Sequence, residues 1–398
     1  MSSVRLPLRP RLLLALVVVT SVVLAACSAQ VAPTPSSSSL PASPSATPQP
    51  SVGESASPAP SDPVAVGWEA AAVPDTANAS GIAAIVAGGD GLIAISFDGG
   101  FGSLVWTSVD GRTWTDITPD GFESIGISGV VEFDGMMVAV GRGNTIDIES
   151  EEAAVYLSRD GREWRKVETA EPMVGQLIDL VATDDGLYAV GGVPGADSAG
   201  IWHSADGESW ERIGPDIEHA FLWSIAEGGP GLVAVGWRRD PDPSTAVWTS
   251  VDGSEWTLSP DPEGYELFEA TDVVNLDGTL VMVGSSLATQ GGRFWTSADG
   301  LEWTVVDVPG LQRVYPRTLL ETAAGLIAVG GGESMAGTAW ISADGRAWEP
   351  FGDPLDGSYF HGAVVHDGSL VVGGATQAGT LETGIESHAA IWSTPLGD

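Results

Sequence analysis

A chain of 398 residues with 53 Asp+Glu against 16 Lys+Arg carries a formal net charge of −37. Such a surface repels phosphate backbones and anionic headgroups, which argues against nucleic acid as a partner and against peripheral membrane binding by charge. One cysteine excludes an intrachain disulfide, while 43% hydrophobic residues and 15 Trp are ample for a large folded core.

In chain order, the first 26 residues read as a targeting segment: Arg5, Arg9 and Arg11, then the apolar run LLLALVVVTSVVLAA from Leu12 to Ala26. The run ends in Leu24-Ala25-Ala26-Cys27, which resembles the lipobox of bacterial lipoproteins. The resemblance implies cleavage before Cys27, lipidation of that thiol, and residence in a bacterial cell envelope, on the outer face of the cytoplasmic membrane or in the periplasm or outer membrane. Residues 28–62 are Pro, Ser and Ala with almost no apolar bulk. They cannot bury enough surface to fold, so residues 27–62 form a lipidated tether that would span roughly 35 to 110 Å.

From Pro63 to Asp398 the chain repeats one unit. The heptapeptides are SVDGRTW (108–114), SRDGREW (158–164), SADGESW (204–210), SVDGSEW (250–256), SADGLEW (297–303) and SADGRAW (342–348). Each follows a strand of the type GLxAVG, as in GLYAVGG (186–192) and GLVAVG (231–236), but seven such strands accompany only six heptapeptides. The mismatch is informative. Trp68 lies 46 residues before Trp114, and the chain stops just after Trp392, before a seventh turn can form. Short alternating strands in units of about 48 residues predict an all-β, seven-bladed β-propeller of four-stranded antiparallel blades. The strand around Trp68 would complete the last blade, because each blade buries its faces only against its neighbours.

These repeats resemble the Asp-box repeats of sialidases, sortilin-type receptors and related propellers. The usual pattern is Ser-x-Asp-x-Gly-x-Thr-Trp, whereas this chain has the shorter Ser-x-Asp-Gly-x-x-Trp. The local chemistry points to a structural role. Asp-Gly supplies a tight turn, Asp110, Asp160, Asp206, Asp252, Asp299 and Asp344 can accept turn amides, and the Trp wedges into the core. Each turn offers one carboxylate where calcium wants six to eight oxygens, so no metal is expected.

If the first strand of each blade is innermost, the heptapeptides lie on one face and the variable loops on the other, where binding usually resides. The candidate ligand face is therefore Arg142, His219, Trp223, Arg238, Tyr265, Arg293, Arg313, Tyr315, Arg317, Tyr359 and His361, with Arg239 and the acidic run at 146–152 beside them. Aromatics next to Arg and His suit a sugar or a peptide carboxylate. No HExxH, GxSxG, Walker loop or multi-Cys cluster occurs, and no cofactor is expected. The sialidase resemblance implies an Arg triad, a Tyr nucleophile with a Glu partner, and a Phe-Arg-Ile-Pro motif. That motif is missing, and the positional candidates Tyr265, Tyr315 and Tyr359 have only Glu266 and Glu321 near them in sequence. The expectation is a monomeric, extracytoplasmic, lipid-anchored propeller that binds a glycan, peptide or protein partner without catalysis. The alternatives are a sialidase-like exo-glycoside hydrolase and an assembly factor for an envelope or membrane complex.

Overall fold

A computed structural model of the chain describes residues 67–75, 79–98, 102–143, 152–169, 172–193, 197–239, 243–260, 268–286, 291–332, 335–380 and 384–396. The expectations placed on residues 1–62, including Cys27, lie outside the described residues, as does Tyr265.

Seven antiparallel sheets account for most of the described residues, with one three-residue 3-10 turn, Phe122–Ser124, beside them. The first strands of the blades are Ala79–Gly88, Ile125–Phe133, Gln176–Thr183, Ala220–Gly228, Phe268–Leu276, Val314–Thr322 and Ser358–His366. Each packs against the first strand of the next blade, and the last packs back on the first, so these strands surround the axis. The GLxAVG strands come second and are buried on both faces, as Gly186–Val193 is throughout. That explains their continuous apolar reading instead of an alternating one. The cores lie between blades: Val235, Phe268, Trp295 and Trp303 fill the space between blades 4 and 5.

The ring closes as the repeat count requires. Glu69–Ala70 pairs antiparallel with Gly384–Pro395, setting Glu69 opposite Ser393 and Ala70 opposite Trp392. The Trp68 ring sits 4.9 Å from Phe360 and 6.5 Å from Phe351. Two residues beyond Ala70, Ala72 N–H donates to Arg112 O (2.7 Å) and Ala72 O accepts from Trp114 N–H (2.8 Å). The same short segment thus completes the last blade and grips the first.

The heptapeptides are self-contained turns. In the third copy, Gly207 N–H donates to Ser204 Oγ (2.8 Å), and the amides of Glu208 and Ser209 donate to Asp206 Oδ1 (2.8 and 2.7 Å). Trp210 Nε1 donates to Gly207 O (3.0 Å). The turn glycine is left-handed, with φ of 74° at Gly207. These amides hold the Asp206 carboxyl below its usual range; amides do the same for Asp110, Asp160, Asp299 and Asp344, and at Asp252 the Ser254 hydroxyl leads and its amide follows. Trp114, Trp256, Trp303 and Trp348 are buried, while Trp164 and Trp210 are half-buried. Blade 6 departs from four strands: Glu349–Pro350 and Leu355–Asp356 both pair with Ala336–Ser342. Pro350 and Pro354 lack donors and Gly352 turns at φ 72°, so the outer strand cannot run unbroken.

Candidate functional site

Every innermost strand carries one extra residue at the same place. Its ladder with the second strand skips Ala83, Ser128, Ile178, Trp223, Thr271, Arg317 and His361 in blades 1 to 7. A β-bulge re-aims the side chain it carries. The preceding residues, Ile82, Ile127, Leu177, Leu222, Ala270, Pro316 and Phe360, are all buried. The bulged residues are half-buried, or exposed at Arg317, even though they sit on the innermost strands, so water reaches them along the axis.

The repeat glycine makes the bulge possible. The last Gly of GLxAVG lies opposite the residue before the bulge, as Gly236 lies opposite Leu222 and Gly374 opposite Phe360. A Cβ on Gly236 would stand 1.9 Å from Phe221 O, and one on Gly374 would stand 1.8 Å from Tyr359 O. Blade 1 has Ser96 at this position, and its ladder skips a second residue, Ser80; the Ser96 hydroxyl then donates to Gly81 O at 3.1 Å.

A second tier lies two residues earlier, toward the mouth opposite the heptapeptides: Gly81, Gly126, Gln176, Phe221, Glu269, Tyr315 and Tyr359. Taken together the tiers are one-sided. Blades 1 and 2 contribute Gly81, Ala83, Gly126 and Ser128, whereas blades 4 to 7 contribute Phe221, Trp223, Glu269, Thr271, Tyr315, Arg317, Tyr359 and His361. Within that arc Trp223 Nε1 donates to Glu269 Oε1 (2.5 Å) and Thr271 Oγ1 donates to Arg317 O (3.0 Å). The rings of Phe221 and Trp223 lie 4.5 Å apart, and those of Tyr359 and His361 4.9 Å apart.

Beneath the arc, the residues just after the bulges stitch the blades together. Asp179 Oδ2 accepts from Ile225 N–H (3.0 Å), Ser224 Oγ donates to Asp272 Oδ1 (2.8 Å), and Asp272 Oδ2 accepts from Leu319 N–H (2.7 Å). Thr318 Oγ1 continues the line to His361 O (2.5 Å). Burial, then the Asp179 charge, pushes the Asp272 carboxyl up to about 7, and burial raises Asp179 as well. Ser224 is hydrogen-bonded to both carboxyls, and one hydroxyl has one proton to give. The pair is therefore satisfied when one carboxyl keeps its own proton. Burial, then the Arg317 charge, holds His361 down at about 3, a neutral imidazole. Burial raises Glu269, against the Trp223 hydrogen bond and the Arg317 charge.

Five of the eleven sequence-predicted residues meet on this wall: Trp223, Tyr315, Arg317, Tyr359 and His361. Five of the others do not join them, and Tyr265 lies outside the described residues. His219 (φ 55°) stands between the blade 3 and blade 4 strands, with Nδ1 3.0 Å from Asp197 Oδ2, and Asp197 also holds Arg239. Arg313 (φ 64°) precedes its strand; Arg142 and Arg238 end second strands, opposite Gly126 and Ala220. Arg293 belongs to a third strand, its guanidinium 4.2 Å from the Phe268 ring. The arginines thus occupy different radii rather than one pocket. Tyr315 and Glu321 are six residues apart on one strand, about 20 Å, which rules out a nucleophile pair between them. Sequence reasoning missed Glu269, Asp179, Ser224 and Asp272. Aligning the repeats on the first strand would have exposed them, since QLIDLVAT and FEATDVVNL set carboxylates inside otherwise apolar strands.

Residues 62–316 match a family model described as the DUF6242 beta propeller domain. No curated protein matches the chain. Among solved structures, the WD40 β-propeller domain of Doa1 is similar with a TM-score of 0.52 at 13% identity, over 84% of this chain and 98% of that one. The Trypanosoma rangeli sialidase in complex with 2,3-difluorosialic acid gives 0.43 at 13% identity, over 71% of this chain and 56% of the sialidase, so this chain spans little more than half of that protein. The phage phi92 endosialidase gives 0.48 at 11% identity, over 84% and 69%. At these identities the likeness shows the fold alone.

Proposed function

This chain belongs to the DUF6242 beta propeller domain family, and from that premise we propose that it is an extracytoplasmic, lipid-anchored binding module whose ligand, of glycan, peptide or protein chemistry, enters the axial mouth along blades 4 to 7. The observation that carries the reading is the one-sidedness of the wall: repeated bulges aim seven side chains at the axis, and only on blades 4 to 7 are the aromatic and charged ones grouped. A scaffold that only closed its own axis would have no need of half-buried Trp, Glu and His and an exposed Arg there, since Gly, Ala and Ser suffice in blades 1 and 2. On the same reading the heptapeptides are Asp-box turns with a structural role, and Leu24 to Cys27 is the anchor site.

Binding is tested on glycan and peptide arrays with the intact protein and with Trp223→Ala. Capture that weakens at least tenfold in the variant supports the mouth; capture indifferent to Trp223 overturns it. A fluorogenic sialoside is the parallel assay for the hydrolase alternative, and turnover abolished by Arg317→Ala or Tyr315→Phe would replace the non-catalytic reading. For the anchor, Cys27→Ser should move the protein from the membrane fraction to the soluble one.

A further inference from the structure

Arg317 and Glu269 stand on neighbouring innermost strands, close enough for the Arg317 charge to act on the Glu269 carboxyl, yet no ion pair joins them. Among the described residues the Arg317 guanidinium has no hydrogen-bond or ion-pair partner, and Glu269 uses only Oε1, on the Trp223 indole. Two opposite charges left unjoined are unusual, because a flexible arginine gains by folding onto a carboxylate beside it. Here the Glu269 carboxylate is restrained, and so is the backbone that carries Arg317. The Trp223 N–H draws Glu269 toward blade 4, and the Thr271 hydroxyl holds the Arg317 carbonyl, fixing the bulge from which the guanidinium projects.

Resting on the mouth as the binding site, we infer that its ligand is a free α-amino acid with an aromatic or large apolar side chain, the smallest ligand of peptide chemistry, with its carboxylate on Arg317 and its ammonium on Glu269. Two charge-assisted hydrogen bonds of about 2.7 to 2.9 Å would bridge the gap that keeps the side chains from pairing directly. The ring pairs on either side of the charges, Phe221 with Trp223 and Tyr359 with His361, supply the walls for the side chain.

Other ligand classes fit this pair less well. A neutral sugar leaves both charges without a counter-charge once water is displaced. A uronate satisfies Arg317 but sets its carboxylate against Glu269, and like charges across an interface work against binding. An internal stretch of peptide carries neither backbone charge. An α-amino acid carries both, one carbon apart.

The test uses the full chain with Cys27→Ser to keep it soluble, and titration calorimetry with three probes: L-phenylalanine, 3-phenylpropionate, which lacks the ammonium, and 2-phenylethylamine, which lacks the carboxylate. L-Phenylalanine is expected to bind, and each truncated probe to bind at least ~10-fold more weakly, the loss of one charged hydrogen bond. Arg317→Gln and Glu269→Gln should each cost a similar factor, and Arg346→Gln on the opposite face none. The three-probe comparison is made on the unaltered wall, so it stands even where a wall variant fails to fold. Binding of 3-phenylpropionate within threefold of L-phenylalanine overturns the two-charge assignment. If none of the three binds at 10 mM (~10 mM being a millimolar-affinity ceiling) while a glycan or longer peptide is captured through Trp223, the amino-acid assignment falls and the mouth stands. If nothing is captured through Trp223, both fall.

Discussion

Gly236→Ala isolates the contact from which the axial wall is built. A Cβ at this position would lie 1.9 Å from Phe221 O and 2.9 Å from Leu222 Cα, whereas Cβ atoms essentially never approach within 3.0 Å of another heavy atom. The shortfall is roughly 1 Å, and the obstructing atoms are backbone, which cannot swing aside as a side-chain tip would. Overpacking of a tight interior costs about 1 to 3 kcal/mol, and relief here requires opening the ladder at the bulge, so the cost should reach about 3 kcal/mol. Urea unfolding followed by tryptophan fluorescence measures it as a lower midpoint at unchanged slope. Ser96→Ala is the control. Blade 1 already accommodates a side chain there, so this change removes only the Ser96 hydroxyl's one proton, shared between Gly81 O (3.1 Å) and Phe97 O (3.2 Å) and worth about 1 kcal/mol. If Gly236→Ala costs no more than Ser96→Ala, close approach is not why the repeat keeps glycine.

Two further perturbations test the stitching and the ring. The Asp272 carboxyl rises to about 7 in the folded protein from an ordinary 3.8, so the folded state holds its proton more tightly than the unfolded state. Stability from this group is full below pH 4 and is lost as pH rises through 7, by about 2 to 4 kcal/mol at 1.36 kcal/mol per unit, with the half-buried position at the low end. The six heptapeptide aspartates act in the opposite direction, contributing above the ordinary carboxylate range and fading as pH falls. Asp272→Asn should therefore flatten the decline between pH 5 and 7.5 seen in chemical unfolding of the unaltered chain; an identical decline in both would place its origin elsewhere. Deleting residues 63–73 removes the outer strand of the last blade and the grip on Arg112 and Trp114, and should lower the melting temperature of the whole propeller in one transition. Unchanged melting would contradict closure by the N-terminal strand.

The architecture was legible because its signals are local and repeated. Asp-Gly turns and GLxAVG strands are visible in any one copy, and their unequal counts along the chain, with Trp68 and Trp392, expose the break in the cycle. The wall was only half legible. Trp223, Arg317 and His361 attract notice as bulky polar residues at strand entries, but nothing in a single repeat says that a bulge will turn them toward the axis while Arg142, Arg238 and Arg293 stay on second and third strands. That difference is one of register, set by the glycine opposite, and register is a relation between two strands. Asp179 and Asp272 were overlooked for a related reason: a carboxylate inside an apolar strand reads as a solvated edge until the neighbouring blade supplies Ile225 N–H and Leu319 N–H.

The placement of the buried carboxyls bears on what the arc is for. At the position just after the bulge, blades 7, 1 and 2 have Gly362, Ala84 and Gly129, where neighbouring backbones simply approach. Blades 3 to 6 instead have Asp179, Ser224, Asp272 and Thr318, each bonded to the next blade or to the residue that is. Small residues close an axis more cheaply, since burying carboxyls incurs a desolvation penalty that their hydrogen bonds only partly offset. The bonded joints run from blade 3 to blade 7, and so include every joint between the blades whose bulges present Trp223, Thr271, Arg317 and His361. Directional bonds fix the relative height of adjacent blades in a way that apolar contact does not. Side chains that must converge on one ligand from four separate sheets depend on that height. Stitching beneath the aromatic and charged arc, and its absence beneath the Gly and Ala arc, is what a preorganised binding wall requires and what a purely structural axis does not.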